Sequence, residues 1–255
     1  MRRIVWVLCM AFLLGQAFGA SPSIEASEPE SARTFIEGTK AYEKGNWTAA
    51  IDAFERLWEN GVRNGLLSYN LGNAYLKNDD LGPALLWYER ALKQIPDDPD
   101  LRFNYDYALT LTRDEKGEGT SPLLRILFFW KYKLSSPAIR WTAIFLNAVL
   151  WISLSILVIR KKRLLRPSIV VLSACTILFS ATSFYNYYES SHVQYAVILP
   201  EKAAVRSGTT DSATELFVLH AGTKVRVERD SADHLLIRYT RDKIGWVKKT
   251  EAGVI

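Results

Sequence analysis

Few groups in this 255-residue chain could do chemistry: three histidines, two cysteines and the acidic run Asp97-Asp98-Pro99-Asp100. No acid or cysteine arrangement beside His192, His220 or His234 makes a metal or nucleophile site, so each reads as a surface or strand histidine. Cys9 and Cys175 lie in separate apolar runs, which excludes a disulfide framework and a cysteine-based zinc site. The aspartates suit a helix start, where acids meet the positive end of the helix dipole. A glycine-rich phosphate loop, a dinucleotide fingerprint and a Gly-x-Ser-x-Gly elbow are all missing from the sequence. The expectation is a protein that is not an enzyme and has no catalytic residues, cofactor or metal. Catalysis would require a site assembled with a partner chain.

The charge pattern points to a membrane instead. The formal net charge is +5, yet no Asp or Glu occurs between Glu118 and Glu189, a stretch that carries Arg125, Lys131, Lys133, Arg140, Arg160, Lys161, Lys162, Arg163 and Arg166. Soluble domains rarely go so far without acids, and no basic stripe falls on a module that reads DNA or RNA, so nucleic acid is not an expected partner. Two runs, 138–159 and 168–188, meet the spanning length of about 20 residues. The second closes on Phe184-Tyr185-Asn186-Tyr187-Tyr188, an aromatic cluster suited to headgroup depth. Residues 160–166 between them form a dense basic turn that belongs in the cytoplasm. Arg125, Lys131, Lys133 and Arg140 on the other side weaken that bias.

Residues 1–20 read as a signal peptide: Met1-Arg2-Arg3, an apolar stretch, then small residues with cleavage after Gly19. An uncleaved anchor is the alternative and leaves the following segment on the same side. Both signals place the flanking domains outside the cytoplasm, on a multi-pass protein of the bacterial inner membrane facing the periplasm. Residues 122–134 mix bulky apolar residues with cations and are too short to span. They suit an interfacial helix or a last helix packed on the preceding domain.

A repeat organises the segment before the membrane. Gly38 and Gly72, Ala50 and Ala84, Phe54 and Tyr88, and Leu57 and Ala91 are each 34 residues apart. That is the tetratricopeptide period, and Asn70-Leu71-Gly72-Asn73-Ala74-Tyr75 with Ala84, Tyr88 to Leu92 and Pro96 resembles its consensus. The resemblance implies an α-helical repeat domain over 31–113, with repeats at 31–64 and 65–98 and a capping helix at 99–111. Small residues let the helices cross closely while Tyr75 and Tyr88 fill the spaces beside them. First helices of such arrays build a concave, peptide-binding surface. Phe35, Tyr42, Tyr69, Asn73, Lys77 and Tyr107 are its candidate partner-binding residues, with helix packing the competing role for each aromatic.

After the second span the period changes to two. Lys224-Val225-Arg226-Val227-Glu228 and His234 to Tyr239 alternate as half-buried strands do. Val205-Arg206-Ser207-Gly208, Phe217-Val218-Leu219, Ala221 to Val225 and Gly245-Trp246-Val247 resemble bacterial SH3-like domains, which implies a small all-β barrel over 193–255. Trp246 is expected in its core with one edge exposed, as a further partner-binding candidate. Such domains recognise cell-wall peptides or protein tails; a tethered structural domain without a ligand is the alternative.

Signal peptide, repeats, two-helix hairpin and SH3-like domain together resemble the BatE-type proteins of Bacteroides-aerotolerance operons. The resemblance implies a multidomain scaffold or adaptor in an envelope-stress complex, beside other Bat-type membrane proteins that carry von Willebrand A domains. The alternative is a receptor that binds peptidoglycan peptides.

Overall fold

The computed structural model describes residues 28–115, 128–160, 166–210 and 212–255. The signal-peptide reading of 1–20 and most of the basic turn lie outside them. Among the described residues two helical hairpins come first, α1 (Glu28–Glu43) with α2 (Trp47–Glu59) and α3 (Gly65–Lys77) with α4 (Leu81–Gln94), followed by the helix α5 (Pro99–Thr110). Their starts are written in side chains. Asn46 Oδ1 accepts from the Ala49 N–H at 3.2 Å, Asn64 Oδ1 from Leu67 at 2.7 Å and Asp98 Oδ1 from Leu101 at 2.8 Å, each satisfying an amide that the first turn leaves without a partner. The acidic run therefore serves as a cap, with Pro99 in the first turn.

The 34-residue period appears in space as one contact made twice. A Cβ on Gly38 would lie 2.6 Å from the Phe54 ring, and one on Gly72 would lie 2.5 Å from the Tyr88 ring. Each glycine is thus the socket for the aromatic of its partner helix. Backbone geometry repeats too: Gly45 has φ 75° and Asp79, one period later, φ 63°. Aspartate is among the few side-chain-bearing residues that tolerate this left-handed conformation at a turn.

Next come a short helix α6 (Phe129–Lys133) and two long ones, α7 (Ser136–Arg160) and α8 (Arg166–His192), which pack against each other. Ser136–Ile159 and Pro167–Glu189 are long and apolar enough to cross a membrane. Only 6% and 17% of their most apolar stretches are buried, which distinguishes them from the core helices of a soluble domain. Of the helix expected over 122–134, the described part is α6, and it lies along α8. Trp130 stacks on Phe179 at 6.0 Å and donates from Nε1 to Thr182 Oγ1 at 3.3 Å, while Lys131 pairs with Glu189 at 3.2 Å.

Only Val193 separates α8 from the first of the seven strands among the described residues: β1 (Gln194–Ile198), β2 (Lys202–Arg206), β3 (Glu215–His220), β4 (Lys224–Asp230), β5 (His234–Arg238), β6 (Ile244–Lys248) and β7 (Ala252–Val254). They form one antiparallel sheet in the order β3-β2-β6-β5-β4-β1-β7. Every strand gives residues to a single core that includes Ile198, Val205, Leu219, Val225, Ile237, Val247 and Ala252. A sheet that buries one face of all its strands together must curl around that face. No ladder joins β3 to β7, so the hydrogen bonding does not close into the expected barrel.

Filling a repeat socket tests this packing. Gly72→Ala should destabilise the protein by about 1–3 kcal/mol, as overpacking does. Gly208→Ala, whose new methyl would sit 3.5 Å from the nearest side chain, should change stability by less than about 0.5 kcal/mol. Thermal unfolding of the detergent-solubilised chain, followed by far-ultraviolet circular dichroism, measures both.

Candidate functional site: the first-helix face and the domain junction

The first helices carry one stripe stepped by the repeat: Phe35, Thr39 and Glu43 on α1, Tyr69, Asn73 and Lys77 on α3, and Phe103, Tyr107 and Leu111 on or just beyond α5. Residues spaced by four share a helix face. Along α1 and α3 the aromatic candidates are half-buried. Phe35 lies 5.7 Å from Phe54, and Tyr42 meets Trp47 edge-on at 4.9 Å. Burial first, then the neighbouring Tyr69, raises the Tyr42 hydroxyl above its ordinary pKa.

Asn73 sits at the centre of a polar network rather than waiting for a ligand. Its Oδ1 accepts from the Tyr88 hydroxyl at 2.7 Å and from Asn104 Nδ2 at 2.9 Å, and Asn104 also donates to the Tyr69 hydroxyl at 3.0 Å. These bonds tie α3, α4 and α5 together and satisfy polar groups that burial would otherwise penalise.

On the last helix the same stripe faces outward. Phe103 is 75% exposed, Tyr107 55%, and Leu111 is exposed as well. Of the residues singled out from sequence, Tyr107 and Lys77 are therefore the exposed ones on this face. Phe103 was missed, although it falls one period after Tyr69 and two after Phe35. Leu66, exposed on α3 at helical spacing from Tyr69 and Asn73, extends the apolar surface.

Trp246 lies on the other domain and not in its core. Gly245 and Val247 are buried beneath β6, so strand alternation turns Trp246 to the outer face. There it lies opposite Arg206 of β2 and Leu236 of β5.

A second feature has no counterpart in the sequence reading: the repeats and the sheet dock on each other. Leu85 and Leu86 of α4 pack with Val197 and Leu199. The backbones approach so closely that a Cβ on Gly82 would fall 2.2 Å from the Leu199 carbonyl oxygen, and one on Gly253 would fall 2.3 Å from Leu86. Gly222, at φ 84°, brings its turn against Leu85 in a conformation that suits glycine.

Charged groups fasten the edges. Glu89 accepts from the Tyr105 hydroxyl at 2.6 Å and from Lys224 Nζ at 2.8 Å, and Arg90 donates to the Val254 carbonyl at 2.8 Å. Burial and then Glu89 push the Tyr105 hydroxyl well above its ordinary pKa.

Asp114 is the most heavily engaged of these groups. Its Oδ2 accepts from the His220 backbone N–H at 2.7 Å and from the Thr223 hydroxyl at 2.6 Å, and its Oδ1 lies 2.8 Å from His220 Nδ1. The threonine bonds to the acid and not to the imidazole, so the trio lacks the nucleophile–base contact that a hydrolytic triad needs. It is a clasp. Burial would raise the Asp114 carboxyl, but the hydrogen bonds from Thr223 and His220 outweigh it and hold the group below its ordinary value.

Asp114→Ala should cost about 2–3 kcal/mol, because charge-assisted bonds are lost and their donors stranded. Hydrogen exchange at the His220 amide should accelerate accordingly. A lowered carboxyl pKa contributes stability at every pH above its ordinary value, and that contribution is lost as the pH falls through the lowered one. Protection at the junction should therefore persist down through the usual carboxylate range and disappear only below it, in a pH series of the same exchange measurement.

No curated protein matches this chain, whereas residues 37–99 match the tetratricopeptide repeat family model. That stretch runs from the second half of α1 through α4 and ends at the first residue of α5, so the two helical hairpins are tetratricopeptide-like repeats, which suggests protein–protein interaction.

Proposed function

We propose that the protein is a non-catalytic adaptor of a bacterial inner membrane, which holds a segment of a partner protein on the first-helix face of its repeats. The observation that carries this reading is the apolar stripe Phe103, Tyr107 and Leu111 on and just beyond α5, the last described helix before α6 and the hairpin. A terminal helix that only capped the repeats would turn a polar face outward. A stripe of aromatic and aliphatic groups that continues the ladder of the preceding helices instead suits a bound peptide.

The α7–α8 hairpin supplies the anchor. Because α6 lies along the end of α8 that leads into β1, and the repeats dock on the sheet, both folded domains belong to one end of the hairpin. The basic residues 160–166 at the other end favour a cytoplasmic turn and periplasmic domains. By its resemblance to BatE-type proteins, the partner is a Bat-type membrane protein with a von Willebrand A domain. The curled sheet takes the part of an SH3-like domain that supports the repeats.

Deleting the repeats would strip the sheet of its docking surface, so point changes make the cleaner test. Tagged full-length protein and the Phe103→Glu/Tyr107→Glu variant, purified in mild detergent, should differ in what accompanies them by mass spectrometry. A von Willebrand A-type membrane protein should come down with the former and fall at least tenfold with the latter, in keeping with the loss of two aromatic anchors. Equal recovery with both proteins would remove this face from the proposal.

A further inference from the structure

Two arginines stand directly opposite each other on neighbouring strands: Arg226 of β4 is the register partner of Arg238 of β5, and Tyr195 of β1 completes the row on the other side of Arg226. Like charges in this position repel. One carboxylate serves both. The register shift between Val227 and Arg229 leaves Glu228 as the extra residue of a bulge, and it receives Arg238 Nε at 2.8 Å and Arg226 Nε at 3.3 Å. The guanidinium side chains remain 51% and 40% exposed, so the pair has one anion where its geometry would accommodate two.

The row forms the floor of a cleft of about 640 Å³ between the sheet and α5, within the range of small-ligand sites. The charges around it are sorted by domain. Lys224, Arg226, Arg238 and Arg241 come from the sheet, and Asp106, Asp114 and Glu115 from the repeat side. Lys224 is held by Glu89, and Asp114 by His220 and Thr223. Tyr239 reaches across to donate its hydroxyl to the Glu115 carbonyl, joining the two walls.

We propose that this cleft binds a short zwitterionic peptide, its carboxylate on the Arg226–Arg238 pair and its amine toward Asp106 and Glu115. An arginine pair recognises a carboxylate by charge-assisted, bidentate hydrogen bonds. The acids opposite discriminate against phosphate esters and nucleic acid, which bring further negative charge to that wall, and favour a ligand that ends in a cation. The site needs both domains in their docked arrangement and is separate from the stripe on the first helices, so it stands or falls independently of the adaptor reading.

Full-length protein in detergent, titrated calorimetrically with trialanine, its C-terminal amide, its N-acetyl form and inorganic phosphate, tests the assignment. Trialanine should bind. Amidation should weaken it by about tenfold or more, acetylation should also weaken it, and phosphate should bind more weakly than the free tripeptide. Arg226→Gln should abolish the difference between acid and amide, because it removes one of the two guanidinium groups that hold the carboxylate. No heat up to about 10 mM trialanine, equal affinity for acid and amide, phosphate binding as tightly as the tripeptide, or an undiminished preference for the acid in Arg226→Gln would each overturn the proposal.

Discussion

The docking of α4 on β1 and β7 is the constraint on which the other arrangements rest. A two-and-a-half-repeat array has little interior of its own, and its second core is completed by Val197 and Leu199 from the sheet. Burial of apolar surface supplies the attraction, while the missing Cβ atoms at Gly82 and Gly253 allow the backbones to meet closely enough to use it. The polar clasp through Asp114 then fixes the register between the domains. Without this contact, the cleft beneath α5 would lose one of its walls.

The repeats were legible because their physics is local and periodic: a glycine faces an aromatic, and the pair recurs at a fixed step. The strands were legible for the same reason, through alternation. Trp246 faces outward and not into the core expected for it, because Gly245 and Val247 on either side are the residues that alternation turns inward. Phe103 could have been found by carrying the Tyr69 position forward one more period. The stripe thus needed only the rule already in use.

The junction could not be read in this way. Asp114 and His220 are 106 residues apart, and the α7–α8 hairpin lies between them in the chain. Neither residue belongs to a repeat or a spaced motif, and a single acid after a helix resembles any surface acid. The same is true of Arg226 and Arg238, which look like two solvated strand residues until the β4–β5 register sets them face to face. Pairing between strands and contacts between domains depend on where the chain returns, which a residue pattern along one element does not encode.

The direct passage from α8 into β1 gives the molecule a fixed working height. With Val193 as the only residue between helix and strand, the sheet has no tether on which to swing, and the repeats docked to it share that restriction. On the proposed reading, a bilayer around the hairpin would hold the first-helix face at one elevation above the lipid. Partners would then be sorted by where along their own length the bound segment lies, because a segment carried too far from the membrane would meet no surface, whatever its sequence.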